Sequence, residues 1–411
     1  MARKKALLMT VGYGNPKRQD ILHSMSHGML SSINNFNPDL VVFFGSKDSE
    51  IVIESLKEEY PKEFGDELDF YEFVKNDDVD NFNSYFMGFK SKINELDEDY
   101  RIAIDYTSGT KTMTMSAAFA SMFFRKELVF VSGERSKKKG LVRPGTEEPK
   151  RQNLYTFYDD LLLVKIQELF NTNRFESAKS LLEDMVNNEE ADLYSKLLNA
   201  YSCFDNVDYE GAKENFDVKV FANKWESISG QIYANNNALN IINGGRDKSY
   251  YILASLLNNA KRRALEYKYD DAIARLYRSL ELIAQIKLEE YNLNSSDLDI
   301  KIVKELISDE DYLSKLETKH DDSGKIKIGL VEDFELLFKL DDKLGKYYKE
   351  NENKIKNAIR FRNSSILAHG LESKSKEEYE NFEEIIYGVA LALNKKMNNF
   401  IKQTEFPKFD I

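Results

Sequence analysis

The chain has 411 residues, 42% apolar and 12% aromatic, with only 19 glycines and 6 prolines. That excludes a disordered or collagen-like polymer and leaves room for two to four domains at roughly 100–200 residues each. A single cysteine, Cys203, excludes a disulfide framework and a cysteine-built zinc cluster, and four histidines leave little for a histidine-built site, so neither metal nor cofactor is expected. The net charge of −12 argues against a protein that coats nucleic-acid phosphates along its surface. Residues 1–155 hold 22 Lys and Arg against 24 Asp and Glu, a charge of −2, so the other −10 lies beyond them. No apolar run reaches the ~18 residues needed to cross a bilayer, and the first residues lack a secretory signal's apolar core and cleavage site. No membrane association is expected, and the expected compartment is the cytoplasm.

Residues 5–11 form a short apolar run that ends in Gly12-Tyr13-Gly14-Asn15-Pro16, and a mixed segment leads to a second run at 39–45. The rhythm returns at 68–74, at 101–106 followed by a helical stretch at 112–124, and at 127–132. Strands alternating with helices imply parallel crossovers, hence a doubly wound, Rossmann-like α/β domain over residues 1–155. Ligands of such sheets sit beyond the carboxyl ends of the strands, where the loops at 12–16 and 107–111 fall. From about residue 157 the pattern becomes helical throughout. Arg174-Phe175-Glu176-Ser177-Ala178-Lys179 and Asp208-Tyr209-Glu210-Gly211-Ala212-Lys213 stand 34 residues apart, the period of tetratricopeptide-type helix pairs. An all-α region, of tetratricopeptide-type pairs or generic helical hairpins, is expected over 156–247, closed by Asn243-Gly244-Gly245. Residues 248–411 read as an all-α bundle, with an amphipathic helix at 269–282 and further helices at about 299–318, 331–340, 349–368 and 375–403.

Three segments carry chemistry. Asp105-Tyr106-Thr107-Ser108-Gly109-Thr110-Lys111 runs from a strand end into a helix, and its hydroxyls, glycine and lysine suit an anion, because exposed N–H groups and the helix dipole favour negative charge. It is neither a GxxxxGK[ST] loop nor, with Gly12-Tyr13-Gly14, a dinucleotide fingerprint, which disfavours ATP hydrolysis and NAD binding. From spacing alone, Thr110 could equally be a helix cap and Gly109 a turn. Gly133 and Arg135 stand at the next strand end, ahead of the solvated run at Lys137-Lys138-Lys139 and the bases Arg143, Lys150 and Arg151. In Arg360-Phe361-Arg362-Asn363-Ser364-Ser365-Ile366-Leu367-Ala368-His369-Gly370, a continuous helix would set Arg362 and His369 on one face, about 10 Å apart along the axis. A guanidinium that holds a phosphodiester and an imidazole that moves protons suffice for metal-independent RNA cleavage. The alternative is that His369 and Gly370 merely end a helix. His23 and His27 have the spacing of metal ligands, but no acid completes an HExxH motif, so surface or packing roles are expected. His320 reads as loop, and Cys203 as core packing.

Residues 105–111 resemble the D-x-T-x-G-T-K signature of CARF domains, the sensors of cyclic oligoadenylates in type III CRISPR systems. Arg362-Asn363, five residues, then His369 is similar to the R-x(4–6)-H signature of HEPN ribonucleases. The order of the two motifs identifies the chain as similar to CRISPR-associated CARF–HEPN ribonucleases, in the branch with a helical connector, which implies a tetratricopeptide-like or six-helix connector over 156–247. The resemblance implies a cyclic tetra- or hexa-adenylate activator held by Gly12, Tyr13, Gly14, Asn15, Thr107, Ser108, Gly109, Thr110 and Lys111, with Gly133 and Arg135 as weaker additions. It implies catalysis by Arg362 and His369 with Asn363 positioning them, and Arg360 as a less fitting alternative arginine. It implies a homodimer, single-stranded RNA as substrate, no stable DNA binding, products with 2',3'-cyclic phosphate and 5'-hydroxyl ends, and a part in antiviral defence. Two other outcomes stay open: a helical bundle that only dimerises or binds a partner, and a sensor that degrades its own activator.

Overall fold

A computed structural model describes residues 3–13, 19–135, 142–154, 156–320, 325–363, 367 and 370–411, the side chains of residues 19–21 and 361 excepted. The chain forms two compact units, Met1–Leu163 with Met185–Asn187, and Val164–Asp184 with Asn188–Ile411.

The first unit is a six-stranded sheet built from β1 (Lys4–Thr10), β2 (Leu40–Gly45), β3 (Tyr71–Lys75), β4 (Tyr100–Asp105), β5 (Glu127–Ser132) and β6 (Glu148–Gln152). Their order is β3-β2-β1-β4-β5-β6, with β1 to β5 parallel and β6 antiparallel to β5. Ala6, Leu7, Leu8, Met9 and Thr10 are fully buried, because a central parallel strand is covered on both faces. One face (Leu7, Met9, Val41, Phe43) packs on Met29, Leu30, Ile33, Val52 and Leu56, from helices α1 (Gln19–Phe36) and α2 (Glu50–Phe64). The other (Leu8, Val42, Phe44, Ile104) packs on Phe89, Ile93, Met113 and Ala117, from α3 (Phe82–Leu96) and α4 (Lys111–Phe123). Strand β6 is absent from the sequence reading. It carries the expected basic residues, yet Arg151 pairs with Glu127 at 3.4 Å and Lys150 with Glu148 at 3.6 Å, while Arg143 before it pairs with Glu134 at 3.4 Å. The positive character at these three residues is therefore neutralised locally.

The second unit is helical. Helix Thr156–Asn171, of which residues 164–171 belong to this unit, and helix Asn188–Asp205 each turn back into a short partner, Phe175–Leu182 and Tyr209–Asn215. The 34-residue offset is a repeated turn: Asn173 and Val207 both adopt left-handed backbone, with φ of 60° and 66°. The next N–H in each reaches back five residues, Arg174 to the Leu169 carbonyl at 2.8 Å and Asp208 to that of Cys203 at 2.9 Å. Ala178 and Ala212 are then fully buried. The same turn returns between Lys248–Leu265 and Tyr269–Glu289, where Tyr267 has φ 62°, Lys268 bonds the Arg263 carbonyl at 3.0 Å and Ala272 is buried.

Asp205, buried, ties the two halves of this unit: it accepts from Arg262 Nε at 2.6 Å and from Asn259 Nδ2 at 2.8 Å, and it pairs with Arg263. The Arg262 guanidinium lies 3.8 Å from the ring centre of Phe406. Phe406 and Phe409 insert among Phe170, Tyr201 and Phe204, and the Asn171 amide clasps the Phe409 backbone at both N and O, each at 2.8 Å.

Several expected long helices are divided. Residues 299–318 form Ile300–Leu306 and Glu310–Glu317, because Asp309 caps the second by accepting from Tyr312 N at 3.0 Å. Residues 375–403 form Lys376–Leu393 and Met397–Thr404. Of the expected helix at 349–368, the described residues give Glu352–Asn363 with Leu367 in a turn, and His369, which the two-turn argument pairs with Arg362, lies outside them. No helix among the described residues is long and apolar enough to cross a membrane.

Candidate functional site

The sheet changes direction between β1 and β4: the chain winds one way through β2 and β3 and the other way through β5. Loops leaving the carboxyl ends of β1 and β4 therefore emerge side by side, with a crevice between them. The buried Thr10 hydroxyl donates to the Ser108 carbonyl, and Gly12 N donates to Ser108 Oγ at 3.1 Å. A Cβ on Gly12 would stand 3.0 Å from Gly109 N, and one on Gly109, whose φ is +119°, would stand 3.1 Å from Thr10 Cβ. A side chain at either position would push the loops apart, and the left-handed backbone at Gly109 itself favours glycine. Thr110 caps α4, accepting from Met113 N at 3.2 Å and donating to the Val79 carbonyl at 3.1 Å.

Asp105, fully buried beneath the loop, accepts from Thr107 N at 2.7 Å and from the Ser32 hydroxyl. Burial pushes its pKa up to about 6, against the downward pull of those hydrogen bonds. Its part is to shape the loop from below. Thr107 Oγ1 in turn accepts from Val131 N at 3.0 Å, which fixes the loop to β5.

The result is a cavity of about 420 Å³ lined by Gly12, Tyr13, Ser24, Met25, Gly28, Thr107, Ser108, Gly109, Thr110, Val131, Arg135 and Val142. Seven of the expected ligand residues thus meet in one place. Lys111 starts α4 and is exposed without lining the cavity. Gly133 does not line it either: a Cβ there would meet the Thr146 carbonyl oxygen at 2.5 Å, so this glycine serves close packing of the segment leading to β6. Gly14, Asn15 and Lys137 to Lys139 lie outside the described residues. Sequence reasoning missed the wall that α1 supplies through Ser24, Met25 and Gly28. Its available signal was Gly28, a mid-helix glycine costing about 1 kcal/mol relative to alanine, which lies 3.5 Å (to an added Cβ) from Thr107 Cγ2.

In the second unit, Ile355, Ala358 and Arg362 occupy one stripe of helix Glu352–Asn363 at spacings of three and four. Ile355 and Ala358 are buried, and Arg362 is half-buried. Its guanidinium lies over the Tyr277 ring at 4.2 Å, and its Nη1 donates to Asn363 Oδ1 at 3.3 Å. Arg362 Nε is buried with no hydrogen-bond partner among the described residues. A buried donor without a partner costs about 1–3 kcal/mol. Arg360 points to solvent, and Lys356 is occupied by Glu352 at 2.6 Å. Tyr277, missed by sequence reasoning, holds the guanidinium by its π-face. Burial and the nearby Glu281 raise the Tyr277 pKa, with Arg362 opposing them. His369 lies outside the described residues.

An α/β unit with a strand-end cavity followed by a helical unit is the architecture of the CARF–HEPN ribonucleases. Residues 242–392 match the family model of the Csm6 HEPN domain and residues 158–239 that of the Csm6 6H domain, together more than half of the chain. The chain belongs to the Csm6 family, and its HEPN domain makes it an endoribonuclease. Among solved structures it is similar to Enterococcus italicus Csm6 bound to cyclic hexa-2'-fluoro-hexa-dAMP, at 15% identity and a TM-score of 0.64, over 98% of this chain and 100% of that one. That likeness extends the shared fold through both units. No curated protein matches the chain.

Proposed function

We propose that this protein is a cytoplasmic, cyclic-oligoadenylate-activated endoribonuclease of type III CRISPR antiviral defence, with a sensor at 1–155, a connector at 156–247 and the ribonuclease at 248–411. The observation that carries the reading is the cavity at the β1/β4 crevice, lined by Gly12, Thr107, Ser108, Gly109, Thr110 and Arg135. Backbone N–H groups, hydroxyls and a guanidinium suit a phosphodiester ring. The Enterococcus relative was solved with a cyclic hexanucleotide analogue bound, which supports the same ligand class here.

In the ribonuclease, Arg362 holds the scissile phosphate and neutralises charge developing on it, while the His369 imidazole transfers protons. The ribose 2'-hydroxyl attacks its own phosphorus, the P–O5' bond breaks, and the 5'-oxygen leaves with a proton. Single-stranded RNA fits because the attack needs a 2'-hydroxyl and a backbone free to align; DNA lacks the nucleophile. The products are a 2',3'-cyclic phosphate and a 5'-hydroxyl. Catalysis takes place in a homodimer that joins two Arg–His pairs. The apolar side chains Met87, Met115, Phe119 and Phe123, exposed along α3 and α4, support a second copy packing on the sensor. Activator binding acts by favouring one dimer arrangement over another.

The test is cleavage of a fluorescent RNA in chelator, with cyclic tetra- and hexa-adenylate in turn. One ring should stimulate cleavage, and His369→Ala should abolish it while ligand binding stays intact. Unchanged cleavage in His369→Ala would refute the catalytic assignment.

A further inference from the structure

Outside the cavity, two histidines and a carboxylate from two helices come together. His23 and His27 stand one turn apart on α1 with ring centroids 4.4 Å apart. The acid that the local sequence lacks arrives from α2: Glu59 Oε1 lies 2.9 Å from His23 Nδ1, and one donor atom from each of the three residues lies within 4.8 Å of the others. The second oxygen, Glu59 Oε2, is buried and has no hydrogen-bond partner among the described residues. An ion pair with His23 alone leaves that oxygen unexplained, whereas coordination would use the carboxylate's full charge.

We propose that His23, His27 and Glu59 form a binding site for a borderline divalent transition-metal ion of the zinc class. Two imidazoles and a carboxylate select such an ion over calcium or magnesium, which take all-oxygen shells. Bonds of about 2.0–2.2 Å in a tetrahedron put ligand atoms about 3.3–3.5 Å apart, so the His23–Glu59 pair opens by about half an ångström and the imidazoles close by side-chain rotation. His23 is half-exposed, which gives water the fourth position. The ion would clamp α1 onto α2. Ser24 and Gly28, each following one of the histidines, line the ligand cavity, so the clamp would brace the cavity wall.

The full-length chain, free of a polyhistidine tag and stripped with chelator, should be titrated with Co2+ and followed by visible absorption. The expected result is a tetrahedral d–d band that saturates at one equivalent per chain, is displaced by Zn2+, and accompanies a rise in thermal midpoint. His27→Gln and Glu59→Gln should each weaken binding at least tenfold, and His320→Gln should leave it unchanged. The exposed variant His23→Gln, which disturbs no core, should give the same loss should the others fold poorly. Absence of the band, or a band unaffected by His23→Gln, overturns the proposal.

Discussion

The strand-end cavity and the arginine end of the ribonuclease helix are built on opposite principles. Around the cavity the polar groups are largely satisfied within the fold: Thr10 and Gly12 bond Ser108, Thr107 bonds Asp105, Thr110 bonds Met113 and Val79, and two glycines let backbone lie against backbone. Around Arg362 a charged side chain is fixed by a ring face and one amide, with its Nε left open among the described residues. Recognition of a ligand by shape and N–H groups can be finished inside the fold before the ligand arrives. Charge stabilisation in a reaction needs capacity kept in reserve for the transition state.

The sharpest way to break this contrast is Arg362→Ala. Stimulated RNA cleavage should fall by about 10²–10³, while activator affinity, measured by calorimetry, stays within twofold. Arg360→Ala should cost far less, and equal losses would remove the distinction between the two arginines. Gly109→Ala tests the other side. With a φ of +119° and Thr10 at 3.1 Å, the new methyl should separate the loops and weaken activator binding at least tenfold, leaving unstimulated cleavage alone.

A third test asks whether an open buried group always signals function. Asp333, 3% exposed, has an Oδ1 with no hydrogen-bond partner among the described residues, and burial, against an opposing Ser295 hydrogen bond and with a smaller push from Glu281, raises its pKa to about 7. The folded state therefore binds this proton more tightly than the unfolded chain does, and stability falls as pH rises from about 4 through 7. Asp333→Asn should remove that fall, gaining roughly 1–3 kcal/mol at pH 8 in urea unfolding and nothing at pH 4. Loss of cleavage instead of a gain in stability would place Asp333 in the chemistry. The smallest effect belongs to Tyr277. Tyr277→Ala should reduce cleavage about five- to tenfold, consistent with a loss of about 1 kcal/mol of guanidinium–ring attraction, and Tyr277→Phe should retain the rate.

What the sequence made legible follows from how much of each element's cause is local. Strands β1 and β2 could be read because a parallel strand covered on both faces must be apolar throughout. Strand β6, Glu-Pro-Lys-Arg-Gln, carries no such pattern; it is an edge held by backbone bonds to β5, and Pro149 is tolerated there. The 107–111 loop was legible because its turn, cap and glycine are all local. The α1 wall, the Tyr277 platform and the Glu59 carboxylate beside His23 were not, since each depends on which helix the fold brings alongside. The demand for glycine at 133 was hidden for the same reason, since it comes from Thr146, whose carbonyl oxygen a Cβ there would meet at 2.5 Å. The turn at Tyr267 repeats those at Asn173 and Val207 but breaks the 34-residue spacing, which hid it from a search for a fixed period.

The insertion of Phe406 and Phe409 among Phe170, Tyr201 and Phe204 bears on how the molecule is made. Helices translated early wait for rings translated more than two hundred residues later before their aromatic interior is closed. A chain stopped short by a damaged message leaves that interior open to water and proteases.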